Sequence, residues 1–161
     1  MAQDQADGQA GHSHGHPYWL FSLNMGLGLL VMYAVMFSMI DGWGDFRNNL
    51  NMAYMAVTMW APMGLLMLAT MPGMYPNRGA NVTMYVLFAV ITMGAFWATR
   101  TQALVGDRQF IDSMIPHHSD AILMCREAGL SDPELVKLCE SIAKSQREEI
   151  EAMERIRSRL P

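Results

Sequence analysis

Three long stretches of the chain contain no charged residue, and short polar or turn-rich segments separate them. The stretches are residues 18–40, 50–71 and 82–99. A helix of about 20 apolar residues crosses the hydrocarbon core of a bilayer, and all three stretches lie within or close to that length. Pro62 interrupts the second stretch and predicts a kink, which neighbouring helices can accommodate. The pattern therefore predicts a region of three transmembrane helices, residues 18–99, in contact with a lipid bilayer.

The segment before the first span, residues 1–17, is polar and rich in Gly, Gln and Asp, which predicts no fixed fold. It carries three histidines at every second position, His12, His14 and His16. Closely spaced imidazoles can chelate a copper ion or a divalent metal loosely, so this tail is a candidate for a secondary, weak metal site. The alternative is a flexible tail without a ligand. No Lys or Arg precedes the first apolar stretch, which argues against a cleaved signal peptide.

Residues 100–161 have a different composition and hold nine of the 11 basic and eleven of the 15 acidic residues of the chain. Apolar positions recur there with the period of an α-helix in two segments. Between the segments, Gly129 suits a helix C-cap, Ser131 or Asp132 suits an N-cap, and Pro133 suits a first helical turn. The pattern predicts an antiparallel helical hairpin in which facing residues have numbers that add to about 262.

A hairpin of about 55 residues buries too little apolar surface to be stable alone. Two solutions are expected. Two hairpins pair into a four-helix bundle by dimerisation, or the hairpin docks on the membrane helices of its own chain.

The predicted hairpin places soft metal ligands on the helix faces that meet. Met114 and His118 share the inward face of the first helix, with His117 on its flank, and Gln146 and Met153 lie on the facing side of the second helix. Thioether and imidazole ligands together suit copper, and Cu(I) especially, better than Mg, Ca or Mn. The alternative is that the methionines are ordinary core residues and the histidine is a satisfied polar residue.

His117 and His118 are adjacent, and neighbouring side chains on a helix point about 100° apart. A regular helix therefore directs only one of them inward. Pro116 precedes them and disturbs helical geometry, which is a reason to expect both to converge. The helices carry no Glu-x-x-His pair, so a carboxylate di-iron site is not expected.

Cys125 and Cys139 are the only cysteines, and the hairpin register places them opposite each other near the loop. Three outcomes are open: a disulfide in an exported hairpin, a reduced pair that binds Cu(I) with Met124 as a third soft ligand, or two inert buried thiols. Their opposed placement favours the first two outcomes over the third.

Methionine occupies 17 of 161 positions, and four methionines share a face on each of the first two spans. Facing thioethers can pass a soft ion such as Cu(I), whereas the alternative, which the helical spacing favours, is that methionine fills gaps between packed helices. None of the spans contains Lys, Arg, Asp, Glu or His, which argues against a proton-coupled or charged-substrate transporter. The methionines are Met25, Met32, Met36 and Met39 on the first span and Met52, Met55, Met59 and Met63 on the second.

Two motifs of the hairpin resemble a known family. Met-x-Pro-His-His, within residues 110–118, and Gln-x-x-Glu-Ile-x-x-Met, residues 146–153, are similar to the bacterial family called domain of unknown function 305. The similarity covers residues 105–160, and the preceding spans resemble the membrane-anchored members. The resemblance implies a ferritin-like helical bundle, usually exported, and copper binding and resistance in some members. The implied ligands are Met114, His117, His118, Met124 and Met153, with Gln146 as a matching polar position, whereas Cys125 and Cys139 depart from the usual pattern.

The predicted fold class is therefore all-α: three transmembrane helices followed by a ferritin-like helical hairpin, residues 100–161, that completes a four-helix bundle by dimerisation. The predicted function is a copper-binding protein of copper homeostasis, in a bacterial inner membrane, with a copper-transfer partner. A structural membrane protein and a metal-dependent oxidoreductase are the alternatives, and no nucleophile–base pair favours an enzyme. The net charge of −4 gives no basic surface for nucleic acid.

The resemblance places the hairpin outside the cytoplasm. The positive-inside rule favours the opposite orientation, because Arg47, Arg100 and Arg108 lie near one side of the membrane and Arg78 near the other.

Overall fold

The computed structural model describes residues 17–161, and this part of the chain forms helices and no β-strand. The all-α prediction is confirmed for these residues. The predicted weak metal site at His12, His14 and His16 lies outside them. The five α-helices are Pro17–Val35 (α1), Leu50–Thr70 (α2), Arg78–Thr101 (α3), Asp107–Glu127 (α4) and Pro133–Arg157 (α5).

The first three helices are long and apolar enough to cross a membrane, as predicted. The first span ends as an α-helix at Val35 and continues as the 3-10 turn Met36–Met39. The third span begins at Arg78, four residues before the predicted start. The reason is a cap that the prediction missed: the side-chain oxygen of Asn77 accepts a hydrogen bond from the backbone N–H of Ala80 at 3.0 Å.

The packed centre of the membrane region lies between α2 and α3. Gly64 permits their close approach, since a Cβ at this position would lie 2.8 Å from the ring of Phe88. Phe88 also meets Trp60 of α2 and Phe21 of α1 edge to face, with ring centroids 5.4 and 5.8 Å apart. On α1 only Phe21 and Met25 are buried, so most of this helix is not covered by the rest of the described chain.

The start of α1 is tied to the turn between α2 and α3. The Tyr18 hydroxyl donates a hydrogen bond to Asn81 Oδ1 at 2.9 Å and accepts one from the backbone N–H of Asn77 at 3.0 Å. The three antiparallel helices therefore place Pro17 and this turn at one end. The connector between α1 and α2, residues 36–49, and the α4–α5 hairpin lie at the other end.

The turn of the hairpin follows the predicted sequence signals with one exception. Asp132 is the N-cap of α5, where its carboxylate accepts a hydrogen bond from the Leu135 N–H at 2.9 Å, and Pro133 opens the helix. Ala128 occupies the C-cap of α4, and no glycine of the described chain has a positive φ. The prediction that Gly129 caps α4 is therefore wrong.

The hairpin lies against the connector and the start of α2. This arrangement corresponds to the second predicted solution, in which the hairpin docks on its own chain. α4 carries the buried face of the hairpin, whereas α5 contains no buried residue. No second copy is present, so the four-helix bundle formed by a dimer stays a prediction. The buried apolar side chains of α4 are Ile111, Ile115, Pro116 and Ile122, next to the buried Ser119.

Candidate functional site

The two histidines lie in the middle of α4, which passes through Pro116 without ending. Because the helix continues, the adjacent side chains diverge. His117 is exposed, whereas only 12% of the His118 side chain is exposed. Their ring centroids are 6.0 Å apart and the ring planes differ by 61°. The expectation that Pro116 would turn both rings inward is therefore wrong, and only His118 lies on the side of α5.

His118 Nδ1 lies 3.0 Å from Glu149 Oε2 on α5, at the level that the hairpin register predicts. The approach does not have the direction of a hydrogen bond, and this buried nitrogen has no hydrogen-bond partner among the described residues. The other carboxylate oxygen of Glu149 accepts a hydrogen bond from the Ser145 hydroxyl at 3.0 Å, which holds the carboxylate on its own helix. A buried polar atom without a partner costs about 1–3 kcal/mol, and a small rotation of the ring would let the Glu149 carboxylate satisfy it.

The other predicted ligands are distributed around the hairpin. Met114 on α4 and Gln146 and Met153 on α5 are half-buried, and Met124 is exposed. Within residues 17–161, no group of three or more His, Cys, Asp or Glu side chains is arranged to hold a metal ion. One hairpin thus offers a half-buried imidazole, an exposed imidazole and separate thioethers. The predicted Met/His copper site stays a prediction.

Cys125 and Cys139 join α4 to α5 by a disulfide, with their Cα atoms 5.3 Å apart. The predicted register places these residues opposite each other. Of the three outcomes considered, the disulfide is the one that the structure contains. A disulfide has no thiolate to donate to a metal. In this oxidised state Cys125 and Cys139 therefore act as a cross-link and are not the predicted copper ligands. The predicted role of Met124 as a third ligand beside two thiolates does not apply in this state either.

Hydrogen bonds join the hairpin to the connector and to the start of α2, and the residues that form them were not among the predicted site residues. Ser119 is completely buried; its hydroxyl donates to Asp45 Oδ2 at 2.6 Å and accepts from the backbone N–H of Asp41 at 2.7 Å. At the start of α2, the backbone N–H of Leu50 donates to Gln109 Oε1 at 3.0 Å. These contacts give the hairpin one position relative to the membrane helices.

Two ion pairs flank this hydrogen-bonded contact. Arg126 of α4 pairs with Asp41, and Arg47 of the connector pairs with Glu154 of α5. The hydrogen bond that Arg126 donates to Glu127 raises the pKa of Arg126, and the charge of Asp41 adds to this effect. Because Arg126 is exposed, we expect its ion pair to orient the hairpin more than to stabilise it.

The signal for this docking face was present in the sequence. Four residues of α4, on one side of the helix, are spaced by four, four and three positions, and they lie roughly 100° around the helix from Met114. Asp41 and Asp45 in the connector supply polar partners. The residues of the docking face are Ile111, Ile115, Ser119 and Ile122.

The described chain belongs to the class of helical proteins with three potential membrane spans and a disulfide-linked hairpin on one side of them. By sequence, the chain is a member of the family described as Domain of unknown function (DUF305), which matches residues 92–157. It is also 34% identical over 115 residues to an uncharacterized protein of Acanthamoeba polyphaga mimivirus, and the alignment covers 70% of this chain and 74% of that relative. No solved structure matches the chain significantly. The predicted family is therefore confirmed.

Proposed function

We propose that this chain is a membrane-anchored copper-binding protein that holds Cu(I) on its hairpin at the level of His117 and His118, without turnover. The observation that carries the proposal is the His118 ring, which is only 12% exposed, has its Nδ1 3.0 Å from the Glu149 carboxylate and lies beside a second imidazole. Met114, one turn earlier on α4, is half-buried and supplies a thioether on the same side as His118. Imidazole and thioether ligands together select a soft ion.

Glu149 has a supporting role in this proposal. Its carboxylate oxygen lies 3.0 Å from His118 Nδ1, so a small rotation of the ring gives the hydrogen bond that commonly orients a metal-binding histidine. His118 then presents Nε2 to the ion, and the negative charge of Glu149 offsets the positive charge of the site.

A second copy of the chain completes the proposed site. α4 exposes a strip in which side chains are spaced by four, three, four and three positions, as along a coiled-coil seam. One hairpin holds too few soft ligands for a closed site, and a second hairpin adds another imidazole and further thioethers on the same seam. The unburied α5 also favours a four-helix bundle made by two hairpins. The strip consists of Phe110, Met114, His117, Ala121 and Met124.

We propose that the protein lies in a bacterial inner membrane and that its hairpin is on the side outside the cytoplasm. The disulfide between Cys125 and Cys139 supports this orientation, because disulfides form and persist in oxidising compartments. This argument outweighs the small excess of arginines near the hairpin side of the membrane. The proposed copper-transfer partner would act in that compartment.

Titration of the full-length protein with Cu(I), in competition with a chelator of known affinity, tests the proposal. The tail histidines are first replaced (His12→Ala, His14→Ala and His16→Ala), so that only the rest of the chain is measured. We expect His118→Ala to weaken Cu(I) binding at least tenfold, while Lys144→Ala, an exposed change on α5, leaves the affinity unchanged. Equal Cu(I) isotherms for the parent and for a variant lacking both His117 and His118 would contradict a hairpin site and favour a purely structural hairpin.

A further inference from the structure

A cleft of about 470 Å³ opens between α1 and α2 in the membrane region. Four methionines line it, and each helix contributes two. Met25 and Met32 lie on α1, and Met63 and Met67 lie on α2. No charged side chain is among the residues that line the cleft. The two spans therefore bring four thioethers to one opening.

Packing between the helices explains only part of this arrangement: Met25 is buried in the core and Met67 packs against it. Methionine is a flexible filler, and side chains that act as filler close the space between helices. Here the space is open, and Met63 is 50% exposed. The sequence pattern alone favoured packing as the role of Met25, Met32 and Met63, because a periodic stripe has the same spacing whether the gap beside it is filled or empty.

Trp60 adds a second soft group to the wall of the cleft. Its indole N–H donates a hydrogen bond to the backbone carbonyl of Met25 at 2.6 Å, which fixes the ring between the two helices. The face of an indole ring attracts cations. Thioethers and an indole ring are uncharged, so they remain compatible with hydrocarbon when no ion is bound, whereas Lys, Asp or His in a span would be costly.

We propose that this cleft binds a soft monovalent cation, Cu(I) or its analogue Ag(I), through the thioethers of Met25, Met32, Met63 and Met67, with the Trp60 ring beside the ion. The site shares no residue with the hairpin and does not depend on a metal at His118. An acyl chain in the same cleft would require no sulfur, because any aliphatic side chain would serve it equally well. The membrane region would then bind metal itself in addition to anchoring the hairpin.

The test uses the full-length chain in lipid nanodiscs with all five histidines replaced by alanine, and the probes are Cu(I) and Ag(I). We expect this histidine-free parent to retain one tightly bound ion per chain, and X-ray absorption at the copper edge to show sulfur ligands. Replacing the four cleft methionines with leucine should remove that ion, because leucine keeps the volume and the apolar character but lacks the sulfur. Met93→Leu, an exposed position on α3, is the matched control and should leave binding unchanged.

Two outcomes overturn the inference. One is a histidine-free parent that binds no Cu(I) or Ag(I), and the other is a four-leucine variant that binds as the parent does, which would leave the cleft to lipid. Should the fourfold variant fail to fold, the double variants Met25→Leu with Met32→Leu and Met63→Leu with Met67→Leu each remove half of the sulfurs, and each should weaken binding at least tenfold. The four-leucine change is also made in the chain that keeps its histidines. Cu(I) binding by that variant reports the hairpin site alone, so loss of binding at the cleft is distinguished from loss of binding at the hairpin.

Discussion

Ser119 of α4 and Asp45 of the α1–α2 connector share a hydrogen bond of 2.6 Å at the contact between the hairpin and the membrane region. The same hydroxyl accepts a hydrogen bond from the backbone N–H of Asp41. One completely buried side chain thus satisfies two groups of the connector. This contact determines where the hairpin lies with respect to the spans.

Replacing Ser119 with alanine should loosen the docked hairpin. The change leaves the Asp41 N–H and one oxygen of Asp45 without their partner, which costs about 1–3 kcal/mol of the free energy of unfolding. Hydrogen exchange should become faster in the connector and in α4, and the thermal midpoint should fall. Ser141→Ala on the exposed side of α5 is the control. Equal exchange rates in the two variants would mean that this hydrogen bond does not hold the hairpin in place.

Gly64→Ala should destabilise the membrane region. A Cβ at this position would meet the buried ring of Phe88 at 2.8 Å, and the overpacking should cost about 1–3 kcal/mol. Gly94→Ala is the matched control, since a Cβ there meets no atom within 4 Å. Thermal unfolding in detergent, followed by circular dichroism, compares the two variants. If both melt at the same temperature, α2 and α3 do not pack through this position.

Removing the disulfide should lower stability without removing a metal ligand. The cysteines are 14 positions apart, and a cross-link over a loop of this length contributes about 3 kcal/mol. The chain with Cys125→Ser and Cys139→Ser should melt at a lower temperature than the oxidised parent, and reductant should lower the midpoint of the parent but not of the variant. Thiol labelling of the unreduced parent should find no free thiol among the described residues. Two reactive thiols in the untreated protein would contradict the disulfide.

Glu149→Gln tests whether this carboxylate positions His118. Loss of the negative charge 3.0 Å from the ring nitrogen should weaken Cu(I) binding about tenfold, as is typical when the partner of a metal-binding histidine is changed. Glu148→Gln, one position earlier and exposed, should not alter the affinity. X-ray absorption of the Cu(I)-loaded variants reports the ligands independently of affinity. Equal affinities for the two variants would remove Glu149 from the proposed site.

Several features of the fold could be predicted because they depend on residues that are close in sequence. Span length follows from runs without charge, and Asp132 and Pro133 start α5 by satisfying or avoiding unpaired N–H groups. A disulfide between Cys125 and Cys139 could be predicted as one of three outcomes, because a short turn fixes the register of an antiparallel hairpin. The same register explains why His118 and Glu149 lie at the same height along the hairpin.

The divergence of the two histidines was not predictable from Pro116 alone. Proline cannot donate a hydrogen bond to the carbonyl of Asp112, which locally weakens the helix. Pro116 and its neighbour Ile115 are buried, and α4 stays helical across this point. Because α4 stays helical here, the two adjacent histidines keep the divergent directions of a regular helix.

The sequence by itself determined the helices, the spans and the partners along the hairpin, since each depends on local propensity or on a period of 3.6 residues. It did not determine which apolar face of α4 meets the connector, because the faces that carry Met114 and Ile115 have similar spacing and differ only in what lies opposite them after folding. The cleft between α1 and α2 could not be predicted from the sequence for the same reason. Periodicity states which side chains share a face, whereas the distance between two helices depends on bulky contacts elsewhere, such as Phe21 against Phe88.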